Sequence, residues 1–161
     1  PSVEPFPIAE LVQGVVMQYQ PRAEEQGVDL QAELPERHVR VEGDIGLVER
    51  ALSNLIDNAI HYTPEGGAVY VRVDNEDREV CVAVGDTGPG IPEDDLPHIF
   101  ERFYRVDKSR DRDRGGAGLG LAIAKTILEL HDRTLAVEST VGEGTTFRFQ
   151  LPVETRASEP A

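Results

Sequence analysis

The segment Gly43–Gly67, GDIGLVERALSNLIDNAIHYTPEGG, constrains the chain most, because its pattern suits a helix buried along one side only. Asp44 is a candidate N-cap, apolar residues recur at Val48, Ala51, Leu52, Leu55, Ile56 and Ala59, and Pro64, Gly66 and Gly67 stop the run. The spacing predicts an amphipathic helix of about five turns. At about 100° per residue, Asn54, Asn58 and His61 fall on a second stripe, roughly 130° round from the centre of the apolar face. Asparagine is a mediocre helix former because its side chain competes with the backbone, so two of them one turn apart need either solvent or a purpose. An amide oxygen is a hard, neutral ligand suited to Mg²⁺.

Composition narrows what that stripe can serve. The 161 residues suffice for one domain with a proper core. A net charge of -14, from 30 acids against 16 bases, argues against a general nucleic-acid or anionic-membrane surface, so an anionic ligand needs a local exception. Cys81 is the single cysteine, which excludes an intramolecular disulfide and fits a reducing compartment. No stretch approaches the length of apolar sequence that spans a bilayer, and no signal peptide opens the chain.

Along the chain, residues 1–7 hold three prolines and read as an irregular lead-in. Ile8, Leu11, Val12, Val15, Val16 and Tyr19 repeat at helical spacing, and Gly27 ends that helix. Val28–Leu34 and Val39–Glu42 read as strands, and Val69–Val73 with Val80–Val84 as a hairpin in the middle of a sheet. Gly85–Pro92 then packs three glycines and two prolines into eight residues, either a plain tight turn or backbone left bare for a flat ligand, with Asp86 as its one directional acceptor. Between Arg102 and Arg114 stand six bases (Arg102, Arg105, Lys108, Arg110, Arg112, Arg114) against three acids (Asp107, Asp111, Asp113), the local exception an anion requires. Gly115, Gly116, Gly118 and Gly120 open a helix with apolar positions at Leu121, Ile123, Ala124, Ile127, Leu128 and Leu130, leaving N–H groups uncovered at the positive end of its dipole. Leu121-Ala122 after Gly120 rules out a Walker A loop, which needs Lys-Ser/Thr there. A closing hairpin, Thr134–Glu138 with Thr146–Leu151, precedes a polar tail from Glu154.

Together, NLIDNAIHYT (54–63), DTGPGI (86–91), IFERFYR (99–105), GGAGLGLAIAK (115–125) and GEGTTFRFQLP (142–152) resemble, in order, the N, G1, F, G2 and G3 boxes of the catalytic, ATP-binding domain of bacterial sensor histidine kinases. The resemblance implies an α+β fold, a two-layer α/β sandwich of the Bergerat type with a mixed sheet of about five strands backed by three helices, shared with gyrase-type and Hsp90-type ATPases. It places the domain at 8–153, between the lead-in and a tail at 154–161. It implies ATP and Mg²⁺ as ligands. Asn58 would coordinate the metal and Asn54 support metal or phosphates, with His61 in place of the family's usual phosphate-contacting lysine. Tyr62 and Ile91 would pack beside the adenine, Asp86 would accept its amino proton, and Gly88 and Gly90 would let the ring approach the backbone. Gly116, Gly118 and Gly120 would cradle the phosphates, and Leu119 and Leu121 between and after them would be among the nucleotide-binding residues. Phe100 and Phe103 would anchor a lid, with Arg102 nearest the γ-phosphate and Arg105 beside it. Thr145 or Thr146 would complete the adenine end.

The same resemblance implies a protein histidine kinase of cytoplasmic location, as the cytoplasmic part of a membrane-anchored sensor, acting on its own dimerisation and phosphoacceptor domain and on a response regulator. The isolated domain is expected to be a monomer and the full-length protein a homodimer. No histidine here lies in an acceptor helix, so the chain alone is expected to bind ATP without transferring phosphate. The alternatives are a gyrase-type ATPase or anti-sigma serine kinase, in which Asn54 would be a glutamate base, and a non-catalytic nucleotide-binding domain. His131-Asp132-Arg133 stands where the family has a His-Gly-Gly type turn, a departure expected to alter a loop only. The segment Arg110–Gly116, with little to bury and charge complementary to a triphosphate, is expected to slow its amide exchange when ATP binds; equal exchange with and without ATP would contradict a lid.

Overall fold

The computed structural model describes residues 1–102, 104 and 119–155. Among the described residues, three α-helices, α1 (Ile8–Gln26), α2 (Ile45–Tyr62) and α3 (Gly120–Leu130), a 3-10 turn (Leu96–His98) and seven strands, β1 (Glu4–Pro7), β2 (Asp29–Glu33), β3 (Arg40–Gly43), β4 (Ala68–Asn75), β5 (Glu79–Asp86), β6 (Ala136–Thr140) and β7 (Gly144–Pro152), make up the regular structure. The main sheet runs β2-β4-β5-β7-β6. Its β2–β4 pair is parallel and the others antiparallel, so the sheet is mixed as expected.

Strict alternation decides which face of the sheet is covered. Val69, Val71 and Val73 on β4, Val80, Val82 and Val84 on β5, and Phe147, Phe149 and Leu151 on β7 are all buried. The helices supply the facing layer: Val48, Ala51, Leu52, Leu55, Ile56, Ala59 and Ile60 of α2 are fully or almost fully buried, with Val12, Val15 and Val16 of α1 and Ala124, Ile127 and Leu128 of α3 beside them. Helix α1 continues through Pro21, whose missing N–H falls on the exposed side of the helix beside the exposed Met17. Asp44 caps α2 as its sequence suggests, accepting the Leu47 N–H at 3.2 Å.

Two features depart from the sequence reading. Residues 1–7 are not simply irregular: β1 pairs antiparallel with β3, setting Phe6 opposite Val41, and both side chains are buried. Proline is tolerated because this is a two-stranded ribbon, where an edge position needs no N–H. The second concerns the turn after α3, which does more than form a loop. The Asp44 N–H donates to His131 Nε2 at 3.0 Å, while His131 Nδ1–H donates to the Ile127 carbonyl at 2.8 Å. His131 thus ties the start of α2 to the end of α3, and Asp132 adopts the left-handed conformation (φ 57°) that glycine would enter more easily. Among the described residues, no helix is long and apolar enough to cross a membrane.

If β1 belongs to the fold, Phe6→Ala costs about 3 kcal/mol in urea unfolding, the range for emptying a buried phenylalanine site. A loss below about 1 kcal/mol would mean that the lead-in is only laid against the domain.

Candidate functional site

A cavity of about 350 Å³ opens at the end of β5, lined by residues of β5, β7, α2 and α3. That volume lies within the range of small-molecule sites. Asn58 and Tyr62 reach it from α2, Asp86 from the end of β5, Gly90 and Ile91 from the following turn, Leu121 from the first turn of α3, and Thr145 from the start of β7. These were expected at a site from sequence, and the fold brings all seven to one cavity. Pro89, Pro92, Ile99, Tyr104, Val141 and Phe147 complete the wall. Of these, Phe147 could have been found from period-two alternation with Thr145. Tyr104 is held in place by its hydroxyl, which donates to Asp95 Oδ1, and by a stacked contact with His98 at 5.4 Å.

Among the described residues that line the cavity, Asp86 is the only acid. It faces the helix layer with the buried valines of β5 and is 9% exposed. Burial pushes its carboxyl above the usual carboxylate range, and N–H bonds from Gly88 (2.9 Å) and Thr145 oppose that shift. Two carboxylate oxygens can accept about four hydrogen bonds, so capacity remains for a donor arriving from the cavity. The arrangement suits a flat, mostly apolar group that presents one N–H.

Packing within the chain explains the glycines of the turn more directly than contact with a ligand does. A Cβ at Gly88 would lie 2.9 Å from the Tyr62 carbonyl, and one at Gly90, already at φ 79°, would lie 2.4 Å from the Thr140 carbonyl. The turn is thus wedged between the end of α2 and the β6–β7 connection. Ser139 secures it from the far side: its hydroxyl accepts the Ile91 N–H at 2.7 Å and shares a 2.8 Å hydrogen bond with Thr145.

Asn54 lies one turn before Asn58, with its Cβ 3.8 Å from where a Gly120 side chain would start. Its buried Nδ2 has no hydrogen-bond partner among the described residues. A buried donor without an acceptor costs free energy, which makes it a ready contact for an anionic oxygen at the head of α3. Leu119 occupies the N-cap position there and its carbonyl accepts the Ile123 N–H at 2.9 Å. His61 continues the stripe, its ring edge-on to Tyr62 at 4.7 Å. Phe100 packs edge-on against Phe147 at 6.2 Å, an anchor for the segment leading to Tyr104.

Thr146 does not join the site. Alternation along β7 turns it to the opposite face of the sheet, where its hydroxyl meets that of Tyr70 at 3.5 Å. Arg102 is exposed and does not line the cavity. Phe103, Arg105, Gly116 and Gly118, and with them the segment Arg110–Gly116, lie outside the described residues.

The model of the family described as histidine kinase-, DNA gyrase B-, and HSP90-like ATPase matches residues 43–155. The sensor histidine kinase WalK of Bacillus subtilis is 46% identical over 130 residues, covering 80% of this chain and 21% of WalK. The sensor histidine kinase CusS of Escherichia coli O157:H7 is 43% identical over 152 residues, covering 94% of this chain and 31% of CusS. Among solved structures, the catalytic domain of histidine kinase ThkA superposes with a TM-score of 0.80 at 27% identity, covering 94% of this chain and 96% of that one. Full-length ShkA in complex with AMPPNP gives 0.83 at 32% identity, over 97% of this chain and 32% of that one. The chain therefore spans from about a fifth to a third of the length of the curated relatives it matches.

The electrostatics of Asp86 give a signed prediction. Because its folded-state pKa is raised, the protonated carboxyl favours the fold at acid pH, and that contribution is lost as pH rises through the folded value. Asp86→Asn therefore leaves the nucleotide-free thermal midpoint unchanged or higher at neutral pH, with the difference from the parent shrinking toward pH 4. Were Asp86 the acceptor for an adenine amino group, the same substitution would weaken ATP at least about tenfold, since the amide can present a donor where an acceptor is needed. A fall in the nucleotide-free midpoint, or equal weakening of ATP and GTP, would contradict this role.

Proposed function

Because the chain belongs to the histidine kinase-, DNA gyrase B- and HSP90-like ATPase family, we propose that it binds Mg-ATP and delivers the γ-phosphate to a histidine on a separate dimerisation and phosphoacceptor domain in two-component signalling. One observation carries most of this reading: Asp86, a buried carboxylate steadied by two backbone N–H groups, is the one acid among the described residues of a mostly apolar cavity sized for a nucleobase. The adenine amino group donates to Asp86, while Tyr62, Ile91 and Leu121 pack on the ring. Its phosphates then point toward the head of α3, where the unpartnered Asn54 amide waits. Bound AMPPNP in ShkA and the response regulator TrrA bound to ThkA support a nucleotide ligand and a response-regulator partner for this chain as well.

The residues present fit Mg²⁺. Asn58 offers a neutral amide oxygen at the cavity, and no cluster of three His, Cys, Asp or Glu side chains that could hold a metal exists among the described residues. Mg²⁺ commonly takes one or two protein oxygens and completes its shell with water and phosphate oxygens. When bound, it would neutralise charge building on the phosphates. The chain's own residues then orient the nucleotide and exclude water, which is most of what phosphoryl transfer asks of a protein. Asn54 stands one turn before Asn58, where the gyrase-type and Hsp90-type hydrolases carry a glutamate base, and an amide cannot take a proton from water, which favours transfer over hydrolysis. The kinase acts as the cytoplasmic part of a membrane-anchored homodimer, and the domain by itself is a monomer.

The test uses γ-labelled ATP. The 161-residue chain alone acquires no label and releases little phosphate; joined to its upstream helical domain it labels a histidine, seen as acid-labile product, and Asn58→Ala lowers that rate at least about a hundredfold. Acid-stable label, or label on the isolated chain, would point instead to a serine kinase.

A further inference from the structure

We propose that Gln26, the last residue of α1, is a positioning residue for the nucleotide site, acting through the final turn of α2. This rests on the nucleotide reading above. The last carbonyls of any helix lack intrahelical donors. Here α2 ends without glycine: Thr63 caps it in an extended conformation, its N–H donating to the carbonyls of Ala59 (3.1 Å) and Ile60 (3.3 Å) and its hydroxyl to Ala59 (2.7 Å). The remaining demand is met from outside the helix. The Gln26 side-chain amide donates to the Ile60 carbonyl and, at 2.9 Å, to the Thr63 carbonyl. Arg22, one turn earlier on α1, pairs with Asp57, and the Gly66 N–H donates to the Gly27 carbonyl at 2.8 Å. The C-terminal ends of the two helices are thereby laced together.

The turn held in this way carries Tyr62, and Tyr62 touches the site twice. Its side chain lines the cavity, and its carbonyl would stand 2.9 Å from a Gly88 Cβ. Gly88 is in turn the residue whose N–H donates to Asp86 at 2.9 Å. The physical chain runs from the Gln26 amide to the last turn of α2, to the Tyr62 backbone, to the Gly88 turn, and to the acceptor carboxylate. Loosening the first link lets the last turn fray, moves the ring out of the cavity wall and slackens one of the two bonds that steady Asp86.

Gln26→Met keeps the length of the side chain and removes the donor; Gln26→Lys restores a donor able to reach the same carbonyls. In the 161-residue chain, Gln26→Met raises the Kd for Mg-ATP and for ADP by roughly five- to tenfold, and Gln26→Lys returns it to within about twofold. Amide exchange in the Ala59–Thr63 turn quickens at least about tenfold in Gln26→Met, whereas that of Val48–Leu52 stays within about twofold. A lowered thermal midpoint with unchanged nucleotide affinity, or uniform acceleration of exchange along α2, would reduce Gln26 to a stabilising cap and overturn the proposal. Absence of ATP binding by the unsubstituted chain would overturn the nucleotide reading itself, a result distinct from a variant that binds like its parent.

Discussion

Helix α2 must satisfy two environments along one rod, and the rest of the structure depends on that constraint. One side contributes seven buried residues to the core, so its rotation and depth are set by packing against the sheet and the other helices. The other side carries Asn54, Asn58 and Tyr62 to the place where the sheet ends. Rotating the helix to improve the site would expose Leu52, Leu55 or Ile56, so core packing fixes where the asparagines point. Both ends are pinned as well, the first by Asp44 and His131, the second by Gln26 and Thr63. A site built on such an element inherits the rigidity of the core.

Opposite the helix, Asp86 shows the reverse arrangement, a charge held where the fold by itself would prefer none. Burial disfavours the carboxylate and two backbone N–H groups only partly offset that cost. The residue gains its justification when a donor arrives, because desolvation strengthens whatever hydrogen bond is then made. The unpartnered amide of Asn54 follows the same logic at the other end of the cavity, where an acceptor is wanted. Adenine binding by Asp86 and phosphate contact by Asn54 would satisfy both groups with one ligand.

Much of this was legible in the residues, for identifiable reasons. Helix α2 declares itself through length and periodicity, and β4, β5 and β7 through alternation. Local pattern could not reveal β1, because Pro5 and Pro7 argue against a strand and its pairing with β3 spans more than thirty residues of sequence. Thr145 and Thr146 could not be told apart until the register placed Thr145 opposite Asp86, after which alternation excludes Thr146. His131 looked like a change in a loop, since its two partners come from different elements. Gly88 and Gly90 stand out in the sequence as candidates for a ligand's close approach, while the backbone approaches of Tyr62 and Thr140 that require them are tertiary and leave no trace in sequence. Five motifs in order carried the family where single boxes could not.

Calorimetric titration of the chain with ATP and GTP, each with Mg²⁺ and with the metal chelated, tests the central claim most directly. The account predicts that ATP binds with one-to-one stoichiometry, that Mg²⁺ tightens it, and that GTP, which presents a carbonyl rather than an amino group to Asp86, binds at least about tenfold more weakly. No heat with ATP, or equal affinity for ATP and GTP, would contradict the assignment of the cavity to an adenine nucleotide.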